Sequence, residues 1–222
     1  MGPAIAEDFP EVTTYTRLTN TSETVVKVGD NCFTEPIFYA DPDMLSIFTF
    51  PLIHGDARTA LVDQSSVVIS KPAAVKCFGS ADAMGKTVSI RMGGEFRDFA
   101  VSGVMADIPN NSTITFDFIL PYEVIIERWG PPFTTSWGAM TTRTYVQLAD
   151  GADPAALENK LPGFLKQRAG RTDEELARVQ LRLQPIRDIH LNPTYQNRFE
   201  PSTNPIYLFI LSGIGLMLLF IA

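Results

Sequence analysis

The chain has 222 residues, 45% hydrophobic and 19% charged, which suits a folded protein with a core and not a disordered segment. A net charge of −7 and a pI near 4.8 remove the basic footprint of a nucleic-acid binder, and equally the basic face that would hold a body flat on anionic lipid. The length allows one or two domains.

In chain order, residues 2 to 8 predict a short helix that stops before Phe9-Pro10. Val12 to Leu18 and Thr24 to Val28, rich in Thr, Tyr and Val, predict two strands, with a turn at Asn20-Thr21-Ser22. Ile37 to Ala40 predicts another strand, after which Asp41-Pro42-Asp43 opens a short helix from Met44 to Phe48. Phe50 to Asp56 predicts a loop with apolar anchors. Val67 to Ser70 predicts a strand whose Ser70 caps a helix from Lys71 to Phe78, ended by Gly79. Val88, Ile90 and Met92 alternate with Ser89 and Arg91, so Thr87 to Met92 predicts a half-buried strand. Gly93-Gly94 turns it into a longer strand, Phe96 to Ile108.

Asp107 to Thr113 predicts a loop, Ile114 to Leu120 a strand, and Tyr122 to Trp129 a helix ended by Gly130-Pro131-Pro132. Phe133 to Met140 has no clear period and predicts a loop; Thr141 to Leu148 predicts a strand. Asp153-Pro154 opens a helix with Leu157, Leu161, Phe164 and Leu165 on one face, which Pro162-Gly163 should kink or divide. Val179, Leu181 and Leu183 alternate with polar residues and predict a last strand before Asp188-Ile-His-Leu191. Strands mixed with short helices, without a regular alternation, predict an α+β fold.

Gly79-Ser-Ala-Asp-Ala-Met-Gly85-Lys86-Thr87 mimics a phosphate-binding loop, but that motif needs a tighter glycine spacing and a strand-to-helix setting. Here the order is helix to strand, and Asp82 would repel a phosphate. His54 and His190 lie far apart without a neighbouring carboxylate or cysteine cluster, which predicts structural hydrogen bonds rather than a metal or catalytic pair. No Gly-x-Ser-x-Gly or His-Glu-x-x-His occurs. Cys32 and Cys77 are too few for a disulfide framework and have no metal spacing. Cys77 shares an apolar helical phase with Ala73, Ala74 and Phe78, which predicts a small buried side chain; a bridge to Cys32 stays open at this stage. Asn20-Thr-Ser and Asn111-Ser-Thr match the glycosylation acceptor pattern, though a turn alone accounts for both.

Asn204 to Ala222 contains no charged residue, and an apolar run of about 18 or more reads as a membrane helix. Pro205 suits its first turn. Ser212-Gly213-Ile214-Gly215 offers small residues where another helix could approach. A buried core helix is the plainer alternative. No basic n-region or long apolar h-region follows Met1, so export of the body would depend on an upstream segment.

Several strings, in order, resemble the periplasmic core domain of MacB-like, FtsX-type ABC transporter permeases, especially Bacteroidetes-type members. They are Phe48-Thr-Phe-Pro-Leu-Ile-His-Gly-Asp56, Val67-Val-Ile-Ser-Lys-Pro-Ala-Ala-Val-Lys-Cys-Phe-Gly79 with Met84-Gly-Lys-Thr87, Val101-Ser-Gly-Val-Met-Ala-Asp-Ile-Pro-Asn-Asn-Ser112 with Phe116-Asp-Phe118, and Asp188-Ile-His-Leu191. Cys77 stands where the family usually has an aromatic, and Ala83 where it often has proline. The resemblance implies a periplasmic domain over residues 1–203, with a porter-like α/β part and a β-rich insert over roughly residues 95–150. It implies a membrane helix ahead of Met1 and a second, truncated one at 204–222.

It implies no catalytic residue, cofactor or metal in this body. An ABC ATPase would reside in a separate subunit or domain, the permease would act as a dimer, and a periplasmic adaptor or substrate protein would be a further partner. The location implied is the bacterial inner membrane, with the main domain in the periplasm, coupling ATP hydrolysis to export or cell-envelope work. The competing classes are a membrane-anchored sensor or ligand-binding module and, more weakly, an anchored hydrolase that needs the histidines. Fold does not select the substrate.

Overall fold

The computed structural model describes residues 1–108, 112, 114–130, 137, 142–178, 180–189 and 205–221. They fall into two compact units, Met1–Asp153 with Gln167–Gly170, and Pro154–Lys166 with Arg171–Ala222.

The first unit is built on one mixed sheet of β1 (Val12–Val28), β2 (Asn31–Ala40), β3 (Leu52–His54), β4 (Ser66–Ser70), β5 (Thr87–Met92), β6 (Glu95–Met105), β7 (Phe118–Pro121) and β8 (Arg143–Leu148). The order is β2-β7-β4-β6-β5-β1-β8, with β3 on β6. Because β1 pairs with β2 as well as with β5, the pairings from β1 through β2, β7, β4, β6 and β5 return to β1 as a ring. Among the described residues this unit carries the short helices α1 (Gly2–Asp8), α2 (Met44–Ile47), α3 (Lys71–Phe78) and α4 (Tyr122–Trp129).

Side chains of a strand alternate between faces, and here they feed two cores. Val67, Ile69, Ile90 and Phe99 meet Ala74 of α3 and Val124 and Ile125 of α4. Val68, Met105 and Ile119 join Leu18, Met44, Leu61 and Phe116 in the second core. Each such aliphatic or aromatic side chain, fully buried, contributes about 1.5–3 kcal/mol of transfer free energy.

The predicted turn at Asn20-Thr21-Ser22 does not form, and β1 runs through it as one strand. The pairing steps from Asn20↔Phe38 to Glu23↔Pro36, three residues on β1 against two on β2. That is a β-bulge, which absorbs turn-type residues by bending the strand instead of reversing it. The bend lets the far half of the β1–β2 hairpin reach β5, where Val26 pairs with Ile90 and Lys27 with Ser89.

Other boundaries shift too. β2 begins at Asn31, β3 lies inside the predicted Phe50–Asp56 loop, and β7 begins at Phe118, not Ile114. Strands β6, β7 and β8, within the stretch 95–150 where the insert is expected, hydrogen-bond into the common sheet. The predicted loop from Phe133 to Met140 and the motif at Asn111 lie outside the described residues, except for Trp137 and Ser112.

The second unit holds most of α5 (Pro154–Ala169), which includes Pro162 and is not divided by it. Its buried face of Leu157, Leu161, Phe164 and Leu165 continues on both sides of the proline. That burial offsets the one hydrogen bond proline removes. α6 (Asp173–Arg178) was not predicted. Thr172 and Glu175 form a reciprocal capping box, Glu175 N donating to Thr172 Oγ1 at 3.3 Å and Thr172 N to Glu175 Oε2 at 2.9 Å.

The strand predicted near Val179 to Gln184 does not form among the described residues 180–185. Leu183 N instead donates to Glu158 Oε1 at 2.5 Å, with Arg182 on the other oxygen at 3.3 Å. α7 (Pro205–Ile221) is a 17-residue helix without charge, and its described side chains are exposed, Phe209 at 77% and Phe220 at 87%. No helix of the described residues is long and apolar enough to cross a membrane.

Candidate functional site

The strings around Phe48, Val67, Met84, Val101 and Phe116, scattered over the sequence, meet on β4 and β6. Phe50 packs edge-on to Phe116 with centroids 5.4 Å apart, and Phe48 edge-on to Tyr145 at 4.9 Å. Both rings reach this cluster because Thr49 between them takes φ +55°, a left-handed conformation that is rare for a β-branched residue. Next, β3 lies along β6, Leu52 opposite Met105 and His54 opposite Val104. Gly55 then touches β6 so closely that a Cβ on it would sit 2.5 Å from Ser102 O. Ser102 Oγ donates to Ala60 O at 2.6 Å.

On the neighbouring strand, Ser70 Oγ accepts from Ala73 N at 3.1 Å, capping α3 as predicted, and donates to Asp117. Gly79 ends α3 at φ +74°. Ala83 is fully buried, and Gly85 N donates to Val101 O at 2.8 Å. The segment from Gly79 to Thr87 therefore runs from a helix into a strand along β6, which is the wrong geometry for cradling a phosphate.

A second constellation was not legible as a site in the sequence. Arg17, on β1, is buried and holds Asp41 by both guanidinium arms, Nε to Oδ2 at 2.9 Å and Nη2 to Oδ1 at 2.6 Å. The Arg17 backbone N also donates to Asp41 Oδ2, at 2.6 Å. Arg17 Nη2 reaches Glu123 Oε1 at 3.3 Å, and its guanidinium lies 3.9 Å over the Tyr122 ring. Tyr122 in turn bonds Thr142 through its hydroxyl at 2.8 Å, and burial pushes its phenol pKa up. Asp41 had been expected to open α2, but that N-cap is Asp43, and the Asp41 carboxylate serves Arg17 instead. The group ties β1, the end of β2 and the start of α4 together through one guanidinium between two carboxylates, and among its described members no acid–base pair is poised for proton transfer. The one available signal was Arg17 itself, the single charge in the stretch Val12–Leu18.

His54 is exposed at the end of β3, and His190 lies outside the described residues. Among the described residues no three His, Cys, Asp or Glu side chains gather as metal ligands. Cys77 is buried as expected, Cys32 is exposed, and both are free thiols. On β2, Phe33 and Glu35 turn toward α3, where Lys76 meets both; Cys32, one residue out of step, turns away. A bridge to Cys77 is therefore not made.

The sequence pattern described as MacB-like periplasmic core domain matches residues 1–163. The chain belongs to that family. The MacB-like domain is 30% identical to a domain of a protein from Porphyromonas gingivalis described as a permease, over 79% of this chain and 78% of that one, with a TM-score of 0.66. It shares its fold with the periplasmic region of MacB from Actinobacillus actinomycetemcomitans, at 20% identity, TM-score 0.56, and 76% and 72% of the two chains. The extracellular domain of the noncanonic ABC-type transporter YknZ from Gram-positive bacteria has the same fold, at 15% identity, TM-score 0.53, and 77% and 84% of the chains. No curated protein matches the chain. The strings from Phe48 to Phe118 that carry the resemblance therefore pack around β4 and β6, and the chain is a periplasmic domain of the ABC-type transporter permease family.

Proposed function

We propose that this domain is the non-catalytic, moving periplasmic part of an ABC transporter permease in a bacterial inner membrane. ATP hydrolysis by a separate ABC ATPase subunit or domain drives the permease dimer, and the periplasmic bodies change position in response, for export or cell-envelope work. In this reading α7 lies in the membrane, and a periplasmic adaptor or substrate protein is the outside partner. The observation that carries the reading is that a MacB-like domain is followed on the same chain by the uncharged helix α7, with Phe209, Leu219 and Phe220 exposed. The described helix is itself shorter than a full span; in this reading it is the apolar part of one, since roughly 20 apolar residues cross a hydrocarbon core. Its Ser212, Gly213 and Gly215 suit close approach by other membrane helices.

The test is a crosslink. In membranes carrying the full permease and its ATPase, a reducible bridge between the periplasmic domains of the two protomers, with Cys32→Ser to remove the native thiol, should abolish transport-coupled activity until reductant is added. Intact activity in the bridged state would sink the proposal.

A further inference from the structure

Arg168, in the last turn of α5, holds Asp8 at the end of α1 with both arms, Nε donating to Oδ2 at 2.8 Å and Nη2 to Oδ1. The same Nη2 lies 3.0 Å from Glu7 Oε2. The partners are 160 positions apart in sequence. Two carboxylates at a helix C-terminus sit at the wrong end of its dipole, and α1 has no basic residue in that turn. A local rule broken at an otherwise regular helix marks a place where another requirement has won.

Chain connectivity suggests the requirement. Gln167–Gly170 belong to the first unit, yet they separate the two segments of the second, Pro154–Lys166 and Arg171–Ala222. From Arg171 the chain leads through α6 toward α7. A bidentate arginine–carboxylate pair fixes orientation as well as distance.

We infer that the Arg168 pairing with Asp8 and Glu7 is a conformational clasp that makes α1 and the end of α5 move as one body. This rests on the coupling role proposed above. Displacement at the first helix of the chain then reaches Gln167–Gly170 through side chains, in addition to the sheet, and is handed to the chain leading to α7. Arg168 is one-third exposed and Asp8 about one-quarter, so the pair adds little to global stability, and its loss should uncouple without unfolding. Arg168 is a positioning residue and touches no substrate.

Hydrogen exchange on the full membrane-embedded permease with its ATPase, nucleotide-free and then arrested with ATP and orthovanadate, reads this out. In the unsubstituted protein, protection at Gly2–Asp8 and at Gln167–Gly170 should change together. In Arg168→Ala the response at Gln167–Gly170 should fall several-fold while that at α1 persists, and the Asp8→Lys/Arg168→Glu exchange should restore it. If Arg168→Ala does not fold, Arg168→Lys, which keeps the charge and loses the fork, should give an intermediate response. A response unchanged at both segments in the arginine variants overturns the clasp and leaves the coupling role standing. No nucleotide response at either segment in the unsubstituted protein overturns both.

Discussion

Arg17 and Asp41 are joined through three donors on one residue, the Arg17 backbone N and two guanidinium nitrogens all reaching the same carboxylate. Asp41 N also donates back to Arg17 O at 3.3 Å. Removing one partner of a buried pair strands the other charge without water, which costs about 3–5 kcal/mol. Asp41→Ala should therefore lower stability by about that amount in urea unfolding, since it strands both the guanidinium and a backbone N–H. The paired change Arg17→Met with Asp41→Leu should cost clearly less than the sum of the single changes. Additive losses would show that the two residues act independently.

Gly55 gives a sharper steric prediction. Its φ of +97° is outside what side chains tolerate, and a Cβ would meet Ser102 O, a backbone atom that cannot swing aside. Gly55→Ala should destabilise by about 2 kcal/mol or more, read as a shift in the urea midpoint. Gly79→Ala, also at positive φ but with open space around it, should cost less.

Thr49 should behave in the opposite way. Holding a β-branched residue at φ +55° costs about 1–3 kcal/mol, which the packing of Phe48 and Phe50 offsets. Thr49→Asn or Thr49→Gly should be neutral or stabilising by up to about 1 kcal/mol, with the thermal midpoint as readout.

Local signals were legible where the physics was local. Ser70 and Gly79 bracket α3 because capping and left-handed termination depend on neighbours within a few positions. The strand from Thr87 to Met92 was plain from its alternation and the Gly93-Gly94 turn. The failures came from distant partners. Asn20-Thr21-Ser22 has turn composition, but pairing with Phe38 and Pro36 overrode it and left a bulge. Val179 to Gln184 alternates well, yet Glu158 took the backbone N–H of Leu183. The Arg17 group needed residues 24 and 106 positions away, which no spacing rule reaches. The capping box of Thr172 and Glu175, by contrast, is a local signal that the sequence itself carries.

The cap of α3 can be tested directly. Ser70 accepts from Ala73 N while donating to Asp117, and its own N donates to Asp117 O at 3.0 Å. Ser70→Ala should cost about 1 kcal/mol. Ser70→Asp should do worse than an ordinary cap replacement, because it places a second carboxylate against Asp117. If Ser70→Asp matches the parent in urea, the contact with Asp117 does not form.

The two thiols should separate cleanly by chemistry. Burial raises the Cys77 pKa from 9.0 to about 11, so at pH 8 almost none of it is thiolate, the reactive form. Cys32 is exposed. Alkylation of the folded protein at pH 8 should label Cys32 quickly and Cys77 only after denaturant is added. The same shift carries a stability consequence. Because the folded-state value lies above the unfolded one, the protonated thiol favours the fold fully below pH 9, and that contribution is lost as pH rises from about 9 to 11. Cys77→Ala should therefore flatten the fall in stability between pH 9 and 11 relative to the parent, measured by urea midpoints across that window. An unchanged slope, or labelling of both thiols at equal rates in the folded protein, would place Cys77 in contact with solvent.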